Sequence, residues 1–71
     1  MSRDLDRQVL SRRGGTGPPV VLLVSGPGGA RRCVFAAHDI MAARKAAQGY
    51  SNDAPRIYVR ATGKKEWREA R

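Results

Sequence analysis

Gly26-Pro27-Gly28-Gly29 follows the apolar run at 20–24 and precedes Arg31, Arg32 and Cys33, so two chemistries must be weighed at once. A glycine-rich turn after a strand can wrap a phosphate in backbone N–H groups. A thiol beside two arginines can act as a low-pKa nucleophile. Neither reading completes itself. Counted from Gly26, the second glycine of a Walker loop falls on Arg31, its lysine on Arg32 and its hydroxyl on Cys33. The dinucleotide fingerprint fails at Arg31 as well, and no second βα unit follows. Pro27 fixes a turn corner and Gly28 or Gly29 supplies φ > 0, so the stretch is expected to close a hairpin. Cys33 has no evident base beside it and is expected to be a small buried thiol on the same strand face as Phe35.

A third pattern points to binding. In Arg56-Ile57-Tyr58-Val59-Arg60, arginine recurs at every second residue with an aromatic between. If Ile57, Val59 and Ala61 face the core, then Arg56, Tyr58, Arg60 and Thr62 face outward. Such a surface offers charge for phosphates and a ring for stacking. Lys64 and Lys65 extend it from the next turn, and Arg32 joins it from the neighbouring strand. The same alternation also describes a solvated edge strand whose charges discourage aggregation. Arg44 and Lys45 are the cations that the helix before it offers.

Catalytic chemistry finds little support. Asp4, Asp6, Asp39, Asp53, Glu66 and Glu69 show neither metal-box nor paired-carboxylate spacing. His38 has only neighbouring Asp39 as an acid partner and reads as a capping or surface residue. One histidine and one cysteine do not complete a tetrahedral zinc site without carboxylates or a second chain. The chain reads as a non-enzymatic binder with no cofactor and no metal.

The elements that position these residues follow from periodicity. Residues 1–19 read as a flexible basic tail. Ser2 can cap one helical turn that aligns Leu5 and Val9, and "RRGGTGPP" then acts as a linker. Residues 20–71 form the domain. The first strand, 20–25, is apolar on both faces and belongs in the middle of a sheet. A returning strand covers 30–35, and an alanine-rich helix spans 38–48 and stops at Gly49. In that helix Ile40, Ala43, Ala47 and Tyr50 share one side; Met41, Arg44, Lys45 and Gln48 share the other. Pro55 biases Ala54 toward an extended conformation. The strand "RIYVRAT" comes next, and "EWREAR" ends the chain as a fourth strand with Trp67 inward, or as a short helix. The order ββαβ(β) defines an α+β domain in two layers, an antiparallel sheet with one helix packed on one face. One helix covers one face, so the Leu5–Val9–Leu10 segment, a second copy or a partner protein must cover Val21 and Leu23, or whichever pair lies opposite.

Composition bounds the partners. Seventy-one residues suffice for one small domain, and 14 Lys and Arg against 6 Asp and Glu give a net charge of +8 and a pI near 11.1. That imbalance points to an acidic protein surface, a nucleoprotein complex, or DNA or RNA itself. A high-GC genome that favours Arg, Ala and Gly is the plain alternative. The longest apolar run has five residues, which excludes a membrane helix and a signal-peptide core. A single cysteine suits a reducing interior, so the expectation is a cytoplasmic protein, with a homodimer as one way to enlarge its core.

The order of elements, together with "FAAHDIMAARKAA" and "RIYVRATGKKEWR", resembles two groups in architecture, without a motif matched residue by residue. One is the small phage-encoded inhibitors of type I CRISPR surveillance complexes, several of which are basic proteins of one helix and one sheet. The other is the arm-binding and AP2-like domains of phage integrases, which lay a three-stranded sheet in the DNA major groove. The first resemblance implies a protein that docks on a Cas assembly and obstructs target DNA through Arg56, Tyr58, Arg60, Lys64 and Lys65. The second implies a nucleic-acid-binding module that uses the same residues on phosphates. Integrase arms normally precede a larger catalytic domain, which ranks the stand-alone interactor first. A structural or dimeric interaction protein is the third class.

Overall fold

The computed structural model describes residues 3–13, 17–61, 64 and 66–70. Ser2, Thr62, Lys65 and the linker positions 14–16, to which the sequence assigns roles, lie outside them. The described chain runs α1 (Arg3–Ser11), β1 (Val20–Ser25), a 3-10 turn (Pro27–Gly29), β2 (Arg31–Ala37), α2 (Ile40–Gln48), β3 (Arg56–Val59) and β4 (Arg68–Ala70). The domain is α+β. Its strands form one sheet in the order β2-β1-β3-β4, with every neighbouring pair antiparallel. The chain's most apolar strand, β1, lies inside the sheet, and residues 21–24 of it are fully buried.

Glycine closes the β1–β2 hairpin. Gly28 and Gly29 take φ of 75° and 79°, and Gly26 donates its N–H to the Ala30 carbonyl at 2.7 Å. A side chain at either positive-φ position would be strained even though nothing crowds the space around it.

Helix α2 forms with the faces that its spacing predicts. Asp39 caps it by accepting from the Met41 N–H at 3.0 Å, and Gly49 ends it. Ala43 is fully buried, while Met41, Arg44, Lys45 and Gln48 are exposed. The helix touches β1, β2 and β3. It therefore covers the face that carries Val20, Leu22 and Val24.

The first helix corrects the expectation of a flexible tail. Residues 3–11 are helical and dock on the opposite face, where Leu10 joins Val21, Leu23 and Tyr58 in one cluster flanked by Val9, Cys33, Ala36 and Trp67. A helix lies on each side of the sheet, adding a third layer to the expected two. Both faces are covered from within the chain, so a second copy is not needed to complete the core.

Two local expectations change as well. Leu22 pairs with Phe35 and Leu23 with Cys33, so a bulge absorbs Val34 and puts Cys33 and Phe35 on opposite faces. Cys33 packs toward α1, and Phe35 lies on the α2 side. Ala54 has φ of 49°, which is left-handed and not extended. The strain, about 1–2 kcal/mol, is offset by a carbonyl aimed at Arg31.

Candidate nucleic-acid interface

The alternating pattern of β3 places its residues on two faces, and the structure reverses their expected roles. Tyr58 pairs with Val21 and Arg56 with Leu23, so the arginine–tyrosine stripe lies beneath α1. Tyr58 is 6% exposed and Arg60 8%. The stripe is not an open nucleic-acid surface, because α1, one of the three candidates to cover the sheet's second face, sits on it.

What α1 brings to that face is Asp6, fully buried one turn before Leu10. Its Oδ1 accepts from Arg31 Nε at 2.6 Å. Its Oδ2 accepts from the Tyr58 hydroxyl at 2.6 Å and from Arg56 NH1 at 2.8 Å. Arg31 spends its remaining donors on Ser25 Oγ at 2.7 Å, the Ala54 carbonyl at 2.8 Å and the Leu23 carbonyl at 3.3 Å. One carboxylate thus serves two guanidiniums and a phenol, and the cluster keeps a net positive charge.

Burial alone would push the Asp6 carboxyl up. Hydrogen bonds from Tyr58, Arg56 and Arg31, together with the Arg31 charge, outweigh it and hold the carboxyl below its ordinary value of 3.8. Tyr58 moves the other way. Burial, and then its bond to the Asp6 carboxylate, push the phenol from 10.0 to about 12. The hydrogen bond to Asp6 raises Arg56 further. These shifts keep Asp6 ionised, Tyr58 neutral and Arg56 charged at neutral pH, so the cluster acts as a structural key and not as an acid–base device.

Sequence reading missed Asp6 and gave Arg31 no structural role. A signal was present: Asp6, Val9, Leu10 and Arg13 fall at i, i+3, i+4 and i+7 on one helical face. Arg13 ends that stripe, with NH1 3.5 Å from Cys33 Sγ, and the thiol lies 3.5 Å from the Phe35 carbonyl. Arg60 donates to the Gly17 carbonyl at 3.0 Å and lies over the Trp67 ring, 4.7 Å from its centroid.

Of the cations expected to meet a partner, Arg32, Arg44, Lys45 and Lys64 are exposed, and Lys65 falls outside the described residues. Arg56, Tyr58 and Arg60 are committed inward. Arg68, which sequence reading passed over, is exposed on β4 opposite Val59. That pairing puts it on the α2 side. Lys64 and Arg68 line one concavity with Val59, Arg60, Ala61 and Glu66. Met41 and Gln48 flank Arg44 and Lys45 on the outer side of α2, where Met41 is 61% exposed. Arg3, Arg7 and Arg12 are exposed on and just after α1, Arg3 in an ion pair with Glu69 at 2.8 Å. The exposed acids are Asp4, Asp39, Asp53 and Glu66, and Asp39 is engaged as the cap of α2.

Among the described residues no group of three or more His, Cys, Asp or Glu is placed to hold a metal ion, and no helix is long and apolar enough to cross a membrane. Comparison with protein-family models, with curated proteins and with solved structures gives no match.

Proposed function

We propose that the protein is a non-enzymatic basic module that docks on a nucleoprotein complex and meets its nucleic acid through phosphate contacts. One observation carries this reading. Although Arg31, Arg56 and Arg60 are spent in the interior, the outer surface still carries far more cations than acids, with Arg44, Lys45, Lys64 and Arg68 on the α2 side. Met41, exposed one turn before Arg44 and Lys45 on α2, adds an apolar contact suited to the protein part of such a complex. An inhibitor of a type I CRISPR surveillance complex is the narrower form of the proposal. It rests on size, charge and architectural resemblance, although the chain has two helices where several such inhibitors have one.

Salt dependence of binding tests the reading. Affinity for duplex DNA is expected to fall with salt at a log–log slope of about −0.9 per phosphate contacted. Replacing Arg44 and Lys45 together by Ala is expected to flatten that slope by roughly two units while leaving the fold intact. Binding that is salt-insensitive, or unchanged by the double substitution, overturns the α2 surface as the contact. Recovery of Cas subunits from a native-cell pull-down would support the narrower form; recovery of nucleic acid alone would refute it.

A further inference from the structure

Between α1 and β4 lies a cavity of about 480 Å³ that the phosphate contacts on the α2 side do not use. Leu10, Tyr58 and Trp67 line it with apolar surface; Arg7, Glu66 and the Arg3–Glu69 ion pair supply its charged groups. The volume lies within the range of small-ligand sites, and apolar walls with a few polar groups are their usual composition. Arg60 already lies over the Trp67 ring and the indole packs against the Leu10–Tyr58 cluster, so an incoming planar group meets only the part of the ring that lines the cavity. The Tyr58 hydroxyl is taken by Asp6, and this residue offers the cavity only its ring. Among the described residues Arg7 and Glu66 have no ion-pair or hydrogen-bond partner, and both are exposed.

We infer that this cavity takes one unpaired guanine of a single-stranded nucleic acid. The inference rests on the nucleic-acid reading above and names what that reading leaves open. Bases freed from a duplex stack on aromatic side chains and are read on their Watson–Crick edges. Trp67 provides the stacking surface, Arg7 a cation for the adjoining phosphate and Glu66 a group that only accepts hydrogen bonds. Guanine presents two neighbouring donors, N1–H and the N2 amino group, which match both oxygens of one carboxylate. Cytosine and adenine each place an acceptor beside their amino donor, and thymine and uracil flank a lone N–H with two acceptors. A carboxylate in the site therefore selects guanine.

Trp67 is the only tryptophan of the chain, so its emission reports on the site directly. The experiment titrates the full chain with short thymidine strands that carry, or lack, one central guanine, and with the uridine counterparts. Overall binding is followed separately by the anisotropy of end-labelled strands. The guanine strand is expected to quench Trp67 and to bind about fivefold or more tightly than the strand without it. Glu66→Gln should abolish that preference, whereas Arg7→Ala should weaken both strands equally. The DNA and RNA arms decide which backbone is taken. Strands that bind by anisotropy without changing Trp67 emission would overturn the cavity and leave the nucleic-acid reading standing. Equal quenching by both sequences would overturn guanine as the occupant. A chain that binds no strand at all removes the nucleic-acid reading and this site with it.

Discussion

The two faces of the sheet are covered by helices of equal length and unlike chemistry. Both α1 and α2 have nine residues. Helix α2 lies on Val20, Leu22 and Val24 with the small Ala43 inward, and its cations point to solvent. Helix α1 presents only Leu10 and Asp6 as fully inward residues, and Asp6 is the anchor for Arg31, Arg56 and Tyr58. Apolar contact between small residues tolerates sliding, because dispersion has no direction. A carboxylate with three fixed donors does not, and it sets the position of α1 on the sheet. The lesson is that a strongly basic chain need not display all of its arginines. Here Arg31 and Arg56 hold α1 to the sheet from within, while Arg3, Arg7, Arg12, Arg32, Arg44 and Arg68 stay exposed.

Removing the anchor is the severest way to break this contrast. Asp6→Ala leaves two guanidiniums beneath α1 without their counter-charge and is expected to cost about 3–5 kcal/mol in urea unfolding. A domain of this size has little more stability than that, so the variant should be largely unfolded at room temperature. A loss below about 1 kcal/mol would mean that Val9 and Leu10 hold α1 by themselves.

Tyr58→Phe removes one donor and keeps the ring. The expected loss is roughly 1.5–3 kcal/mol, the range for a hydrogen bond to a charged group.

The same residue makes stability depend on alkaline pH. The folded phenol titrates near 12, above its ordinary 10.0. Its contribution is fully present below pH 10 and is lost as pH rises toward 12, a fall of roughly 2–3 kcal/mol that Tyr58→Phe should not show. Asp6 acts at the acid end with the opposite sign. Its folded value is depressed, so its contribution is present above 3.8 and is lost as pH falls through the folded value. Denaturant midpoints measured across pH check both limbs.

The smallest effect is expected on the other helix. Asp39→Ala deletes the cap of α2 and should cost about 1 kcal/mol, with α1 undisturbed. Amide exchange that quickens in α1 as much as in α2 would show that the two faces are not independent.

Much of the fold was legible because it is local. Five apolar residues in a row require burial on both sides, and they specified β1 as an inner strand. Pro27 with Gly28 and Gly29 specified the hairpin tip, since few other residues adopt φ near 75° without strain. Alanine content, Asp39 and Gly49 specified α2, its faces and its exposed Arg44 and Lys45.

Tertiary structure decided which face of β3 is outside, and this is where the candidate site moved. Alternation in "RIYVR" defines two faces but cannot say that both are covered. Burying Arg56 and Tyr58 is favourable only with a carboxylate in place, and that carboxylate lies 50 and 52 residues away in sequence. The bulge at Val34 likewise belongs to the pairing of two strands, and the positive φ of Ala54 to the reach of Arg31. Periodicity is a property of one segment, and it fixes α2, β1 and the hairpin. The pairing of buried charges is a property of two distant segments, and only the folded chain brings Asp6 to Arg31, Arg56 and Tyr58.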